Sequence, residues 1–418
     1  MALLTGLYFL QGVPLGLATG ALPFLLQATA TTPAAGLAAA GTFSLAAWPY
    51  ATKLAWAPLV DAAHPAPHWR RRAWILPTQA ASAALMFFGA GFASEALRAG
   101  RVRDLTAFFF ALVLAAATQD IAVDGWALTL LSRRRVGVAS TCQTLGTGGG
   151  AFLSFAGLVA LSDTSFSARW AGTPPGGPAA WSLGGYLRFW GVAYGLATAA
   201  LVLARERSVP PPDWVGGGDG SDGEGEEEGG EAAPPPPSSA WAAAGAGYRD
   251  LARVAALPAV RRLVGLLLAA RLAVLPAEAA ATLALLAKGV PRDALAGLAG
   301  AQLPAEWVAA AVAGRAASGG GRPGGLARAW AAGYWARLAC AAAATGVAVL
   351  AAPVPAGGAV PGALLAAAGA AGLATAAVSA LQFTCLGALY ARVADPAQGG
   401  AYLTLLNKIG RASCRERV

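Results

Sequence analysis

The sequence predicts an all-α, polytopic membrane protein built as two helical halves on either side of a linker. Three observations carry that prediction. Of 418 residues, 56% are apolar and only 12% are charged, whereas a soluble globular protein carries about 25% charged residues. Mean hydropathy is +0.55. The apolar residues gather into runs of membrane-spanning length, and midway the chain turns abruptly acidic, glycine-rich and proline-rich.

A spanning helix needs about 20 mainly apolar residues. Runs of that kind cover 2–28, 37–60, 73–95, 105–131, 137–161 and 183–204 in the first half. In the second half they cover 261–287, 295–314, 329–352 and 361–391, and an eleventh begins near Gly400. Pro304 and Glu306 make 295–314 the weakest of these. The first run has no basic region before it, so no cleavable signal peptide is expected. The break at 205–260 holds Pro210 to Pro212, eight of the 21 acidic residues between Asp213 and Glu231, and Pro234 to Pro237. Such a stretch cannot bury enough apolar surface to fold, so a disordered cytosolic linker is expected.

The net charge of +9 is compatible with nucleic acid. Most basic residues, however, sit at the ends of apolar runs, so a bilayer and no nucleic acid is the expected partner. With the N-terminus inside, short cytosolic segments hold 16 Arg or Lys and the opposite side six, which agrees with the positive-inside rule. Two histidines and four cysteines without CxxC spacing suggest no metal site and no disulfide framework. No cofactor is expected. No enzyme motif is present: the GTGGG run at Gly146 to Gly150 lacks a following Lys-Ser or Lys-Thr and reads as a helix-packing surface. A membrane acyltransferase would have to use His64 or His68 as its base.

Ionisable groups inside apolar spans are the informative positions, because each costs about 2.5–3.5 kcal/mol to insert unless paired or hydrated. Lys53, Asp120, Asp124, Arg271, Glu278 and Arg337 stand out, with Glu306 beside them. At about 1.5 Å per residue, Lys53, Asp124, Arg271 and Arg337 each fall ~12–14 Å from a cytosolic end, near the middle of a core about 30 Å thick. Asp120 and Asp124, four apart, share a helix face, as do Arg271 and Glu278, seven apart. A central polar cavity and a set of internal salt bridges both fit these residues. Asp61 ends the second run and is followed by Arg70, Arg71 and Arg72. That pattern suits a cytosolic gate and equally suits basic anchors that fix topology.

Six helices, a cytosolic linker and six helices are the plan of the major facilitator superfamily, whose halves meet around a midplane substrate site. About 10–11 of the twelve expected helices are present here. The first span of each half carries an interior proline, Pro14 or Pro276. Interrupted helices at matching positions point to a transport site, and tolerated kinks in a bundle fit them equally.

Several stretches resemble the acetyl-coenzyme A transporter family, a branch of that superfamily. They are Leu10 to Leu17 (LQGVPLGL), Trp48 to Ala62 (WPYATKLAWAPLVDA), Ala116 to Ser132 (AATQDIAVDGWALTLLS), Val136 to Cys142, Lys288 to Arg292 (KGVPR) and Asp395 to Asn407. The resemblance implies a multi-pass protein of the endoplasmic reticulum membrane that moves acetyl-coenzyme A into the lumen, with a homodimer allowed. Its substrate's phosphates would need cations, for which Lys53, Arg271 and Arg337 are the candidates. Gln11 and Gln119 would contact adenine or pantetheine amides, and Trp126 or Trp56 would stack on adenine. A muropeptide-permease-like, proton-coupled carrier using Asp120 or Asp124 is the alternative. The expected domains are a transmembrane half at 1–204, the linker at 205–260 and a truncated second half at 261–407. Lys408 to Val418 resembles a translated sequencing adapter rather than helix.

Overall fold

The computed structural model describes residues 1–63, 70–132, 135–162, 164, 174, 181–203, 239–318, 323–355, 359–394 and 398–412. His64, His68, Arg133, Arg134 and the acidic stretch lie outside the described residues. Every regular element among the described residues is helical. In the first half these are α1 (Ala2–Gly16), α2 (Leu22–Thr29), α3 (Pro33–Phe43), α4 (Trp48–Thr52), α5 (Ala57–Ala62), α6 (Arg72–Phe88), α7 (Ala90–Arg98), α8 (Val102–Leu130), α9 (Val138–Ser162) and α10 (Leu183–Leu203). There follow α11 (Ala240–Ala256), α12 (Pro258–Ala287), α13 (Arg292–Ala301), α14 (Leu303–Ser318), α15 (Pro323–Leu350), α16 (Gly362–Val393) and α17 (Gly399–Ala412).

Among the described residues, seven helices are long and apolar enough to cross a membrane, or eight if the bent pair α6 and α7 is one span. Two expected spans are built from pieces instead. The run at 37–60 becomes α3, α4 and α5 joined by 3₁₀ turns at Ser44–Ala47 and Lys53–Ala55. Pro33, Pro49 and Pro58 each sit at the start of a piece, where a missing N–H costs no helical hydrogen bond. The run at 295–314 is likewise divided, between α13 and α14.

The expected linker differs at its end. Residues 240–256 form α11, whose first turn is capped by the Ser239 hydroxyl accepting from the Ala242 N–H. Helix α17 continues to Ala412, five residues past Asn407, the expected end of helical sequence.

Pro14 lies inside α1 and cannot donate to the Leu10 carbonyl. The Tyr194 hydroxyl of α10 donates to that carbonyl instead. One turn later the helix widens into a π turn, Leu17–Ala21, before α2. Pro276, in contrast, sits inside an unbroken α12. Gly12 and Gly16 of α1 face Gly146 and Gly150 of α9, and a Cβ at any of the four would strike the opposing backbone. This is small-residue packing at four-residue spacing. It gives the GTGGG run the packing role read from its sequence.

The two halves meet where α9 lies against α14 and α16. Ser140 Oγ donates to the Thr384 carbonyl at 3.0 Å, and Thr141 Oγ1 to the Ala310 carbonyl at 3.3 Å. Outside, Phe88, Leu196, Leu203, Leu272, Trp335 and Leu350 are largely exposed. Inside, Gln11, Lys53, Asp120, Asp124, Arg271 and Arg337 are buried. This apolar exterior around a polar interior reverses the soluble pattern and fits a lipid solvent.

Candidate functional site

Residues of the first half form one charged cluster. The 3₁₀ turn after α4 carries Lys53 into the bundle, where only 2% of it remains exposed. Its ammonium pairs with Asp120 Oδ2 of α8 and stands 3.8 Å from Asp124 Oδ2. Tyr50 Oη donates to Asp120 Oδ2 at 3.1 Å, and its ring lies 4.9 Å from the Lys53 ammonium. Asp124 Oδ1 accepts from Tyr8 Oη at 2.7 Å and from Gln143 Nε2 at 3.3 Å. The helix-face argument for Asp120 and Asp124 therefore describes their placement correctly. One cation faces two carboxylates, so the cluster has no surplus positive charge of its own. Gln11 and Gln119 are buried with neither amide atom hydrogen-bonded among the described residues.

A second group lies in the other half. Arg337 of α15 makes a two-pronged pair with Glu278 of α12, Nε–Oε1 at 3.0 Å and Nη2–Oε2 at 3.1 Å. Bidentate pairing of this kind fixes both side chains. Arg271, two turns earlier on α12, lines a cavity of about 40 Å³ together with Arg337, Trp330, Tyr334 and Gln382. The Trp330 and Tyr334 rings are stacked, with centroids 6.0 Å apart and planes 8° apart.

The gate candidates resolve into three separate contacts. Asp61 Oδ1 pairs with Arg71, and Asp61 Oδ2 accepts the Ala401 N–H at 2.6 Å. The carboxylate thus sits on the first turn of α17, where the helix dipole favours an anion. Asp61 belongs to the first half and Ala401 to the second, so the contact ties the halves together. Gly400 has to lack a side chain, since a Cβ there would lie 2.6 Å from the Ile121 carbonyl and 2.8 Å from Asp61 Oδ1. Gly125, the last residue of AATQDIAVDG, leaves room for the Arg71 guanidinium. Arg70 Nε donates to the Asp61 carbonyl at 3.1 Å. Arg72 donates to the Leu201 and Val202 carbonyls at the end of α10, at 2.6 and 3.1 Å. Arg71 and Arg72 are buried, so this basic cluster does more than anchor a loop in solvent.

The remaining candidates divide. Trp126 is buried in an apolar cluster with Ile121, Leu131 and Val138, a packing position rather than a stacking surface. Trp56 Nε1 donates to Thr118 Oγ1 at 3.2 Å. Tyr8, Tyr50 and Gln143 escaped the sequence reading, because an uncharged polar residue in an apolar run carries no hydropathy signal. On the far side, Lys288 donates to the Val349 carbonyl at 2.7 Å and to the Ala351 carbonyl. Gly289, at φ +88°, leaves no space for a Cβ beside the Val354 carbonyl. The KGVPR stretch is therefore a clasp between α12 and α15. No cluster of metal-ligating side chains exists among the described residues.

Two helical halves joined by a latch, each burying charged groups, define a membrane carrier of the major facilitator fold. Over 99% of this chain and 88% of the other, the structure matches that of FucP, a Major Facilitator Superfamily transporter in the outward conformation, with a TM-score of 0.58 and 13% identity. The family model described as acetyl-coenzyme A transporter 1 matches residues 1–319. The chain belongs to that family. It is 37% identical over 218 residues to an uncharacterized membrane protein of Saccharomyces cerevisiae, a match over 48% of this chain and 39% of the other. It is 33% identical over 149 residues to the anhydromuropeptide permease of Escherichia coli, over 35% and 28% of the two chains. The matches thus span between about a quarter and two fifths of these curated relatives.

Proposed function

We propose that this protein carries acetyl-coenzyme A from cytosol to endoplasmic reticulum lumen by alternating access, with free coenzyme A returning in exchange. The observation that carries this reading is the pair Arg271 and Arg337 buried on one cavity between membrane helices. Buried guanidiniums are costly in a bilayer; in this state Glu278 holds Arg337, and in the proposed cycle a ligand with several phosphates takes over such bidentate pairing. The family to which the chain belongs supports the same substrate.

In this scheme the N-terminus and the acidic stretch face the cytosol. The Asp61–Ala401 latch holds the cytosolic side shut, and the halves rock about the site once it opens. Lys53 moves from phosphate ligand to network member in this state, since Asp120 pairs with it. Asp120, Asp124, Tyr8 and Glu278 set the energy of the two states rather than touch phosphate.

A second reading has its own support. Two carboxylates around one lysine are what a proton-coupled carrier of another solute would use, and one relative is a permease for anhydromuropeptides. Uptake into proteoliposomes, with and without a pH gradient, separates the two. Acetyl-coenzyme A uptake that proceeds without the gradient supports the exchanger. Uptake of a muropeptide that requires the gradient, with none of acetyl-coenzyme A, replaces it.

A further inference from the structure

A larger cavity opens on the outer face of the first half. Its volume is about 380 Å³, within the range of about 300–1,000 Å³ for small-molecule sites. Its wall is α6, from Ala73 through Trp74 and Pro77 to Ala81, flanked by Ala63 at the end of α5 and Ala115 of α8. Ala73, Pro77 and Ala81 recur every four residues on one helix face. They give about 12 Å of smooth, small-residue surface, and Pro77 and Ala81 are exposed.

One polar group on this wall has lost its helical donor. Pro77 has no N–H to give the Ala73 carbonyl one turn before it. Both residues line the cavity, so the freed oxygen lies on its surface. The Leu10 carbonyl, freed in the same way by Pro14, receives the Tyr194 hydroxyl. Here the side-chain donors are spent elsewhere. Trp74 Nε1 donates to the Ala63 carbonyl at 2.7 Å, and Thr78 Oγ1 to the Trp74 and Ile75 carbonyls at 2.7 and 3.1 Å. A backbone carbonyl facing hydrocarbon without a donor is costly. Its depth is marked too: Arg70, Arg71 and Arg72 stand just before Ala73 and Trp74 just after. Basic residues and tryptophan sit at headgroup level, so Ala73 lies at the membrane boundary and Ala81 deeper in the hydrocarbon.

We propose that this cavity is a sterol site, in which the ring hydroxyl donates to the Ala73 carbonyl and the fused rings lie along Pro77, Ala81 and Ala115. A phospholipid acyl chain could fill the same space, but it carries no donor, and ordering its rotatable bonds costs entropy that a rigid ring body does not lose. Trp74, fixed by its bond to Ala63, forms the edge of the site. Every lining residue belongs to the first half, so the site keeps its shape when the halves rock. A ligand with equal affinity for two states shifts neither. The sterol therefore braces the corner between α5 and α6, which carries Asp61 and Arg71, without driving the cycle. This inference needs the membrane fold and is independent of the transported substrate.

The test is photolabelling of the full chain in phosphatidylcholine nanodiscs by a cholesterol analogue with a diazirine on its side chain, the labelled peptide being located by mass spectrometry. Label should fall on α6 or α8, and excess cholesterol should compete it away. Cholestane, which has the same rings and no hydroxyl, should compete about three- to tenfold less well, the effect of one hydrogen bond. Ala81→Trp fills the cavity and should abolish labelling. Ala80→Trp, exposed on the same helix but not lining the cavity, should leave it intact. Pro77→Ala returns an N–H to the Ala73 carbonyl and should erase the advantage of cholesterol over cholestane. Each variant is first shown to be folded and monodisperse. Labelling unchanged by Ala81→Trp, or equal competition by cholesterol and cholestane in the unaltered protein, overturns the sterol site. Label displaced by phosphatidylglycerol but not by cholesterol would assign the cavity to an acyl chain and overturn it as well.

Discussion

Asp61→Asn should shift the carrier by about 30-fold toward the state in which the Asp61–Ala401 contact is open. The argument rests on which contacts cross between the halves. Asp61 and Arg71 both belong to the first half, on α5 and just ahead of α6, so their pair survives rocking and cancels between states. The hydrogen bond from Ala401 N–H at 2.6 Å does cross, and in the proposed cycle it exists only when this end of the bundle is closed. A hydrogen bond to a charged group is worth about 1.5–3 kcal/mol, and an anion at a helix N-terminus adds about 0.3–1 kcal/mol. Asparagine keeps an acceptor and loses the charge, so about 2 kcal/mol of the closed-state preference disappears. At 1.4 kcal/mol per tenfold, that is roughly 30-fold in the equilibrium. Spin labels at the exposed Ser132 and Arg261, one in each half, report it. The double electron–electron resonance distribution of Asp61→Asn should gain a long component that is minor in the parent. An unchanged distribution, from a variant that is folded, would refute the latch.

Three further predictions follow from buried partners. Tyr194→Phe removes the hydroxyl that donates to the Leu10 carbonyl freed by Pro14, and should cost about 1–3 kcal/mol, seen as a lower Tm in detergent; adding Pro14→Ala should recover part of it by restoring the helical bond. Gly150→Leu should prevent assembly of α1 on α9, because Cβ there meets the Phe9 backbone, whereas Gly6→Leu, with nothing within 4 Å, should elute as the parent does in size-exclusion chromatography. Lys53→Met leaves Asp120 and Asp124 without their cation and should lower stability by about 3–5 kcal/mol; Lys53→Met with Asp120→Leu should be more stable than Lys53→Met alone, and the reverse order in thermal melts would contradict the pairing.

Much of the architecture was legible because hydropathy reports length and polarity directly. The continuous spans at 105–131, 137–161 and 361–391 match α8, α9 and α16 within a few residues. Hydropathy cannot register a broken backbone, so 37–60 read as one span although its prolines divide it into α3, α4 and α5. Helix α11 was absorbed into the linker, since its alanine-rich sequence lies beside an acidic, proline-rich stretch and its cap is a single serine. In the site, charge inside apolar runs revealed Lys53, Asp120, Asp124, Arg271, Glu278 and Arg337. Partner choice was another matter: Glu278 shares a face with Arg271, yet its two-pronged partner is Arg337 on α15. That pairing depends on how α12 packs against α15, which no local pattern encodes. Asp61 stood out by its place at a helix end before a basic cluster, but the donor to its second oxygen, the Ala401 amide, is a backbone group 340 residues away.

The central claim is that this fold exchanges acetyl-coenzyme A for coenzyme A across a bilayer. Uptake of labelled acetyl-coenzyme A into proteoliposomes, empty or preloaded with coenzyme A, tests it most directly. Uptake that preloading accelerates is the expected result. No uptake in either set of vesicles, from protein shown to be folded, would contradict it.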